Sequence, residues 1–442
     1  MSPVRIIALG FAGIILIGAI LLSLPFATRS GSSIGFLDAL FTATSATCVT
    51  GLVVVDTYRY WSPFGQIVIL LLIQVGGLGF MTVATLLSFM LRRTISLRER
   101  LLMVESFNQN SIQGIVRLAR YVIIGTLMFE GIGAVILSFR FIPDFGVLGG
   151  IVKGIFHSVS AFCNAGFDLM GEREAFSSLT YYQRDFVVNY TIMGLIVVGG
   201  LGFAVWQDIL KARRLRDLSI HSRLVLTITC GLIAIGFLAF LVLEFCNPAT
   251  LGSMKFVDKL NAALFQSVTT RTAGYNTINQ GAMTNGSKFF TTILMFIGGS
   301  PGSTAGGIKT VTFGILLLSV IAVIRGSTDV NVFTHRIALA LVLRSVTVLL
   351  IGAAIVMAGT MILCVCEEAP FIDLLMETMS AFGTVGLTTG LTPHLSAVSK
   401  LTLTVIMFMG RIGVLTMGMA LAIRARANKQ NIRYPEARVF VG

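Results

Sequence analysis

The chain has 442 residues, of which 55% are hydrophobic and only 12% are charged, whereas about a quarter of the residues in a soluble domain are charged. This composition excludes a soluble globular protein and indicates an integral membrane protein. The net charge of +13 fits cationic cytoplasmic loops better than a nucleic-acid partner, so no nucleic acid is expected.

Cysteine and histidine are too few and too scattered for a metal or redox site. The chain has six cysteines without a pair of CxxC motifs, and four histidines, so neither zinc nor a disulfide framework is expected. An enzyme in the membrane would need a catalytic cluster at membrane depth. The apolar stretches offer only Glu130, Lys309 and Arg411. The sequence therefore predicts neither an enzyme nor a covalently bound cofactor.

Four short segments of small and polar residues end in glycine. These glycine segments are CVTG at 48–51, CNAG at 163–166, RTAG at 271–274 and GTVG at 383–386. Their glycines are 115, 108 and 112 residues apart, which indicates an internal repeat.

The four predicted repeats share one layout: a leading apolar helix, a short amphipathic stretch, the glycine segment and a closing apolar helix. Repeat 1 (1–92) has a leading helix at 4–24, a short stretch at 36–47 and a closing helix at 63–91. Repeat 2 (116–214) has these elements at 117–141, 150–162 and 184–211. Repeat 3 (220–325) has them at 221–246, 256–270 and 287–324, and repeat 4 (335–426) at 335–366, 370–382 and 396–424. Residues 427–442 are predicted to form a cytoplasmic C-terminal tail.

The short stretches determine the predicted fold. As helices they would be roughly 18–22 Å long, which is too short to cross a hydrocarbon core of about 30 Å. A short helix, a loop and a full helix make a re-entrant hairpin, and such irregular backbone must be buried in protein or line a water-filled cavity. We therefore expect an all-α integral membrane fold of four tandem helix–re-entrant pore loop–helix repeats, with eight spans around a pseudo-fourfold central pore. Four helices lying flat at the interface are the alternative, but they leave the glycine segments unexplained.

The predicted topology follows from basic residues after the closing helices. These are Arg92, Arg93, Arg98 and Arg100, then Lys211, Arg213, Arg214 and Arg216, and finally Arg424, Arg426 and Lys429. The positive-inside rule places both termini in the cytoplasm and the hairpins outside, as an even number of spans requires. The expected location is the plasma membrane, in a bacterium.

Glycine adopts positive φ freely and carries no side chain, so each glycine segment can turn its carbonyl groups toward a central axis. Four such segments would form a ring of oxygens that replaces the hydration shell of a cation. Each short helix would direct its partially negative C-terminal end at the same axis. Asp38, Asp258 and Asp373 lie at the opposite ends of these helices, where they favour the dipole and can act as caps; attraction of cations to the mouth is a second possible role.

Longer motifs surround the glycine segments and the closing helices. They are SATCVTGLVVVDT at 45–57, SAFCNAGF at 160–167, TTRTAGYNT at 269–277 and SAFGTVGLTTG at 380–390, together with GGLGF at 76–80 and 199–203, GGSPGSTAGGIKT at 298–310, GRIGVLT at 410–416 and NIRYP at 431–435. In this order and spacing they resemble the Trk/Ktr/HKT superfamily of potassium transporters over essentially the whole chain, and most closely the membrane subunit of bacterial Ktr systems. From the residues alone, GGLGF indicates close helix packing.

The resemblance implies that each repeat donates one glycine to a selectivity filter that coordinates K⁺. Some relatives have serine at the first filter position and tend to pass sodium, so Gly51 favours potassium. The four segments differ in sequence, which predicts looser selectivity than in a tetrameric channel. The candidate filter residues are Thr47, Cys48, Val49, Thr50, Gly51, Cys163, Asn164, Ala165, Gly166, Thr272, Ala273, Gly274, Thr384, Val385 and Gly386.

The third closing helix is interrupted, because proline breaks a helix and the surrounding glycines prevent its repair. The interrupting residues are Gly298, Gly299, Pro301, Gly302, Ser303, Thr304, Gly306 and Gly307, followed by Lys309. The resemblance implies that this loop is a gate below the filter. A simple kink between helices is the alternative.

Two arginines at membrane depth are further candidates. A charge within a span is costly and suggests function, so Arg411 is predicted to face the pore below the filter as a barrier to cations. Alternatively, it pairs with backbone carbonyls or with a carboxylate such as Glu130 and fastens helices together. Arg271 lies on a glycine segment and is expected to brace it from behind, because a cation in the lumen would repel the substrate.

The expected function is ion translocation without ATP, since no ATP-binding motif is present, so that K⁺ moves down its electrochemical gradient. The resemblance implies a homodimer on a cytoplasmic ring of nucleotide-binding regulatory subunits, with membrane lipids around it and Na⁺ as a possible activator. A secondary carrier that rocks its repeats is the alternative. Such carriers use inverted repeats, whereas these repeats share one orientation.

Overall fold

The computed structural model of the protein describes residues 3–79, 97–106, 114–212, 214–327 and 329–413. Several predicted features lie outside these residues: the part of the first closing helix from residue 80, the end of the fourth from residue 414, the C-terminal tail with its NIRYP motif, and the basic residues Arg92, Arg93, Arg213, Arg424, Arg426 and Lys429.

The described chain is almost entirely helical. The leading helices are Pro3–Ser23, the first part of Ile115–Phe162, Ile220–Glu244 and Leu339–Cys366; the short helices are Phe36–Thr47, the last part of Ile115–Phe162, Phe256–Thr269 and Phe371–Gly383. The closing helices are Pro63–Leu78, Phe186–Leu201 with Phe203–Lys211, Asn285–Phe296 with Thr310–Ile324, and Ala397–Ile412. Smaller helices are Leu97–Ser106 and Thr57–Tyr60, and 3-10 turns lie at Pro25–Ala27, Thr180–Tyr182, Leu215–Asp217 and Thr392–His394.

The segment Ile115–Phe162 of repeat 2 consists of two helices that meet at a kink and fold back on each other, and the second of them contains the short helix predicted at 150–162. Gly146 interrupts the segment with φ 74° and ψ 171°, a conformation that glycine adopts without strain. After this kink the two arms pack closely: a Cβ on Gly154 would lie 2.9 Å from Cα of Ser138. The leading helix and the short helix of this repeat are therefore joined by a kink and not by a separate loop.

The predicted closing helix 184–211 is wrong as a continuous element. It breaks at Gly202, which has φ 92°, and the two halves are bent by 95°. The first closing helix ends at Gly79 with φ 79° and the fourth at Gly413 with φ 93°. Because positive φ ends a right-handed helix, three closing helices end or break at the same position of the repeat, not only the predicted third one.

The predicted start of the fourth leading helix is four residues too early. Strands Asn331–Val332 and His335–Arg336 pair as a two-stranded antiparallel ribbon, with Val332 opposite His335. The helix begins afterwards, at Leu339.

The short helices lie in the centre of the molecule and the leading helices lie outside. Phe41, Phe162, Phe265 and Phe382, one on each short helix, are 0% exposed. Large apolar side chains on the leading helices are exposed, as at Phe139 (74%) and Val365 (79%). Since a soluble protein does not expose such continuous apolar surface, these faces suit contact with lipid.

Within the described residues, the four leading helices are long and apolar enough to cross a membrane, and the bent pair at Gly202 would be a fifth span. The shorter apolar helices Pro63–Leu78 and Thr310–Ile324 do not meet this length criterion alone. A 16-residue helix is about 24 Å long. The geometry thus indicates a multi-pass membrane protein.

Candidate functional site

The four glycine segments share an unusual backbone conformation. The glycines are all left-handed, with φ 92° at Gly51, 68° at Gly166, 81° at Gly274 and 92° at Gly386. The residue two positions earlier is also left-handed, with φ 57° at Val49, 61° at Asn164, 65° at Thr272 and 49° at Thr384. Left-handed conformation is rare for non-glycine residues and an outlier for β-branched ones. Its recurrence in every repeat marks a common structural feature, which valine and threonine gave no reason to expect.

This alternation has a geometric consequence. A left-handed residue on either side of a residue with negative φ places successive N–H groups together on one side of the strand. The carbonyl groups of the same stretch then lie together on the other side. Such a strand presents its backbone carbonyl oxygens along one face.

The glycine segments contact one another in a closed ring. A Cβ built on Gly51 would lie 2.3 Å from the carbonyl oxygen of Ala165, and one on Gly166 would lie 2.7 Å from that of Ala273. The corresponding distances are 2.4 Å from Gly274 to Val385 and 2.2 Å from Gly386 to Thr50. Each repeat thus contacts the next, and repeat 4 contacts repeat 1. No side chain fits at any of the four glycines.

Hydroxyl groups on the short helices hold these segments in place. Ser45 Oγ accepts from the amide of Gly51 at 3.1 Å, and Ser380 Oγ accepts from that of Gly386 at 3.0 Å. Ser160 Oγ donates to the carbonyl of Phe167 at 2.8 Å, and Thr269 Oγ1 to that of Tyr275 at 2.5 Å. The sequence analysis missed these residues, although the serine six positions before the glycine in three motifs was a usable signal.

The closing helices pass close to the ends of the short helices. A Cβ on Gly76 would lie 1.9 Å from the carbonyl oxygen of Thr47, and one on Gly199 would lie 2.0 Å from that of Phe162. On Gly410 it would lie 2.1 Å from the carbonyl oxygen of Phe382. The GGLGF motif therefore provides close packing, as predicted, and also the glycine at which the helix ends.

In repeat 3 the equivalent glycine is Gly298, which belongs to the interrupting loop, residues 297–309. A Cβ on Gly298 would lie 1.9 Å from the carbonyl oxygen of Gly306 in the same loop. The loop is closed by hydrogen bonds from the amide of Gly298 to the carbonyl of Ile308 (2.8 Å) and from the amide of Ile308 to the carbonyl of Phe296 (3.3 Å). Lys309 Nζ donates back to the carbonyl of Ala305 at 2.7 Å. The loop is therefore a compact folded element rather than a simple kink.

Loop 297–309 binds the broken closing helix of repeat 2. The amide of Ser300 donates to the carbonyl of Gly200 at 3.0 Å, and the amide of Phe203 donates to the carbonyl of Gly302 at 2.9 Å. The backbone groups that the break at Gly202 releases from the helix are thus satisfied by the loop, which explains why the break is tolerated.

Loop 297–309 also lies against two glycine segments. Thr304 Oγ1 donates to the carbonyl of Phe162 at 3.3 Å, next to Asn164. A Cβ on Gly306 would lie 2.2 Å from Thr384 Oγ1. The loop therefore contacts the left-handed residues of repeats 2 and 4.

Arg411 connects three repeats through backbone carbonyls. Its guanidinium donates to the carbonyls of Gly76 and Thr304, and to that of Gly77 at 3.1 Å. Glu130 accepts instead from Gln74 Nε2 at 3.1 Å. These contacts match the predicted alternative in which Arg411 binds backbone carbonyls, and they place its charge beside the loop. The predicted role as a barrier stays a prediction.

Arg271 points away from the ring of glycine segments. The side chain is 8% exposed, and its guanidinium donates to the carbonyls of Thr229 (3.4 Å) and Gly298 (3.3 Å). These are the contacts expected of a residue that holds its segment from behind.

The three aspartates at the starts of short helices form ion pairs with the preceding repeat. Asp373 pairs with Lys288 and Asp38 with Lys400, each at 2.8 Å, while Asp258 lies 3.6 Å from Arg184. Each aspartate lies in the first turn of its helix, as expected, without capping it through its side chain. The ion pairs were not predicted, because their partners are far apart in the sequence.

Among the residues that the structure describes, no group of three or more His, Cys, Asp or Glu side chains could hold a metal ion. All six cysteines are free.

The apolar exterior, the central short helices and the closed ring of glycine segments define the chain as a multi-pass membrane transporter. The family model described as "TrkH: Cation transport protein" matches residues 14–431. The chain therefore belongs to the TrkH family of cation transport proteins, which confirms the resemblance noted from the motifs. Members of this family are transporters, not enzymes.

Curated relatives and a solved structure agree with this assignment. The chain is 45% identical to Ktr system potassium uptake protein B of Bacillus subtilis, covering 100% of this chain and 97% of the relative. It is 42% identical to the potassium/sodium uptake protein NtpJ of Enterococcus hirae, covering 100% and 98%. The crystal structure of the potassium transporter TrkH from Vibrio parahaemolyticus shares the fold, with a TM-score of 0.74 and 17% identity over 95% of this chain and 85% of that one.

Proposed function

We propose that the protein is the ion-translocating subunit of a potassium uptake system. In this proposal K⁺ passes down its electrochemical gradient through a selectivity filter made of the four glycine segments. The observation that carries it is the closed ring of left-handed glycines, each against the carbonyl of the next repeat. Such a ring exposes oxygens and no side chains, as coordination of a dehydrated cation requires. The relatives named as potassium uptake proteins support K⁺ as the substrate.

The proposed architecture is four tandem repeats, 1–92, 116–214, 220–325 and 335–426, with eight spans around a pseudo-fourfold pore. It is supported by the same two left-handed positions in every repeat. Both termini would be cytoplasmic, because the basic segments follow the closing helices. The C-terminal ends of the short helices would then add negative potential near the middle of the membrane.

The proposed gate is loop 297–309, which includes Lys309, together with Arg411. It would block the path on the cytoplasmic side of the filter, and it carries the two positive charges that repel a cation there. The hydrogen bond from Arg411 to the carbonyl of Thr304 would hold the loop closed. Opening requires the loop to leave the broken helix of repeat 2.

The proposed assembly is a homodimer in the lipid bilayer, seated on a cytoplasmic ring of nucleotide-binding regulatory subunits. The Ktr system names of three relatives support a multi-component system. Activation by Na⁺ is proposed from the potassium/sodium name of the Enterococcus hirae relative. No covalently bound cofactor is required.

The test is cation flux into liposomes that contain the purified protein, with K⁺ or Na⁺ gradients. We expect K⁺ flux in the parent protein and loss of K⁺ selectivity in Gly51→Ser. A side chain at Gly51 meets both a φ of 92° and the carbonyl of Ala165. Gly194→Ser is the matched control, since a Cβ there meets nothing within 4 Å.

Two results would overturn the proposal. One is equal loss of selectivity in Gly51→Ser and Gly194→Ser. The other is absence of flux for both ions even after deletion of residues 300–307, which would leave the rocking carrier as the better mechanism.

A further inference from the structure

The gate and the filter are not separate elements in this structure. Asn164 lies in the glycine segment of repeat 2, is 1% exposed and has left-handed φ. The side-chain amide of Asn164 is oriented so that both of its ends form hydrogen bonds. Nδ2 donates to the carbonyls of Phe162 (3.2 Å) and Ile196 (3.3 Å), and Oδ1 accepts from Thr272 Oγ1 (3.3 Å). Asn164 thus joins the segments of repeats 2 and 3.

The same amide also meets the loop. In this orientation Thr304 Oγ1 lies 3.4 Å from Asn164 Nδ2, from which it can accept, and it donates to the carbonyl of Phe162, to which Nδ2 also donates. Across the ring, Thr384 Oγ1 is fully buried, has no hydrogen-bond partner among the described residues, and lies against Gly306. The loop therefore packs on the left-handed residue of two opposite glycine segments.

A left-handed asparagine or threonine persists only where its surroundings hold it. Loop 297–309 is part of the surroundings of Asn164 and Thr384. In the proposed gating step this loop moves away. Departure of the loop takes away the Thr304 contact from Asn164 and the Gly306 contact from Thr384. The backbone of both segments then loses a restraint that determines where its carbonyls point.

Resting on the proposed function, we infer that Asn164 is a positioning residue that couples the gate to the filter: Thr304 holds the Asn164 amide, and the amide holds the glycine segments of repeats 2 and 3. Selectivity is therefore highest with the loop in place and falls when the loop leaves. Since coupling of binding equilibria is reciprocal, K⁺ in the filter also stabilises the closed loop.

The test is a double-mutant cycle on the K⁺:Na⁺ binding ratio of the purified protein with the loop closed, from ion titrations in detergent, with Asn164→Ala and Thr304→Val. Each single substitution is expected to lower the ratio about threefold to tenfold, and the double variant no further than the larger single effect, because residues that act through one contact are not additive. Asn189→Ala is the control. Asn189 is likewise buried, with 0% exposed, and donates to the carbonyls of Tyr182 and Gln183, away from the loop.

A merely structural role of Asn164 predicts another pattern. Asn189→Ala and Asn164→Ala would then lower the thermal stability alike and leave the K⁺:Na⁺ binding ratio unchanged, which would overturn the inference. Additive effects of Asn164→Ala and Thr304→Val would overturn it too. If Asn164→Ala does not fold, the cycle is made with Thr272→Val and Thr304→Val, so that Asn164 is kept. Additive effects of these two substitutions would likewise overturn the inference.

These outcomes separate the inference from the function on which it rests. If the parent protein carries K⁺ and Gly51→Ser loses selectivity, the proposed function stands, and an additive cycle removes only the coupling. If the parent carries neither ion, the proposed function fails first.

Discussion

The two ends of the repeats are joined by different kinds of contact. Where the short helices begin, neighbouring repeats are linked by side-chain ion pairs, such as Lys400 with Asp38 at 2.8 Å. Where the closing helices break, neighbouring repeats are linked by hydrogen bonds to backbone carbonyls. Arg411 donates to the carbonyl of Gly76, and the amide of Ser300 donates to the carbonyl of Gly200.

This difference indicates which end can move. The ion pairs join helices that are each anchored by a buried face. The end at which the short helices begin is therefore held as a unit. The backbone contacts at the other end come largely from a loop, and water can replace such contacts when the loop moves. The ring of glycine segments lies between the held end and the movable end.

The largest effect is expected in the ring itself, which both ends support. Gly274→Ala places a methyl 2.4 Å from the carbonyl of Val385 at φ 81°. Together, overpacking and backbone strain are expected to weaken K⁺ binding about 100-fold. K⁺ flux in liposomes measures this, and Gly194→Ala is the control at a glycine with free space. A variant with parental flux would show that the ring does not contact the ion.

The movable end is tested by Arg411→Gln. It removes a charge and the guanidinium bonds to Gly76, Gly77 and Thr304. With the loop less firmly held, K⁺ flux is expected to rise about tenfold, since each 1.4 kcal/mol is a factor of ten. Arg325→Gln is the matched control, because Arg325 is exposed at the end of a closing helix half. An unchanged or lower flux would contradict a closing role for Arg411.

The packing of closing helices on short helices is tested by Gly76→Ala. A methyl there would lie 1.9 Å from the carbonyl oxygen of Thr47, so we expect a loss of about 1–3 kcal/mol in unfolding free energy. Thermal melting in detergent reports it. Gly13→Ala is the control because nothing lies within 4 Å of its Cβ, and its melting temperature should hold or rise with the gain in helix propensity. Equal melting temperatures for the two variants would refute close contact at Gly76.

The smallest effect is expected at the held end. Lys400→Met and Asp38→Asn each break one ion pair, at side chains that are 13% and 28% exposed. A partly exposed pair contributes about 1 kcal/mol, so each single variant should melt slightly earlier and the double variant no earlier than the worse single one. K⁺ selectivity is expected to remain at the parental value. A change in selectivity would show that this end also controls the filter.

The short helices were predicted nearly to the residue, since the glycine segment marks where each one ends. The helix Phe36–Thr47 coincides with the predicted 36–47. The leading helices were predictable for a different reason: their length and apolar composition leave few alternatives. Both predictions rest on local signals that the chain carries in each repeat.

The break at Gly202 and the left-handed residues could not be predicted in this way. A single glycine is common in membrane helices, so GGLGF does not reveal that its last glycine has φ 92°. That conformation depends on loop 297–309, about 100 residues further along, which satisfies the freed backbone groups. Val49 and Thr384 disfavour left-handed φ, and they are held there by hydrogen bonds to their own short helices together with contacts between repeats.

The contact between the first and last repeats has a consequence for biosynthesis. Asp38 and Lys400 are separated by 362 positions in the chain, and Gly386 lies against Thr50 at the same seam. When the ribosome has completed three repeats, the first repeat can contact the second, but its other neighbour, the fourth repeat, has not yet been made. Until the fourth repeat enters the bilayer, a charged aspartate and an open row of carbonyl groups lack these partners, which is a state that a membrane quality-control protease could recognise.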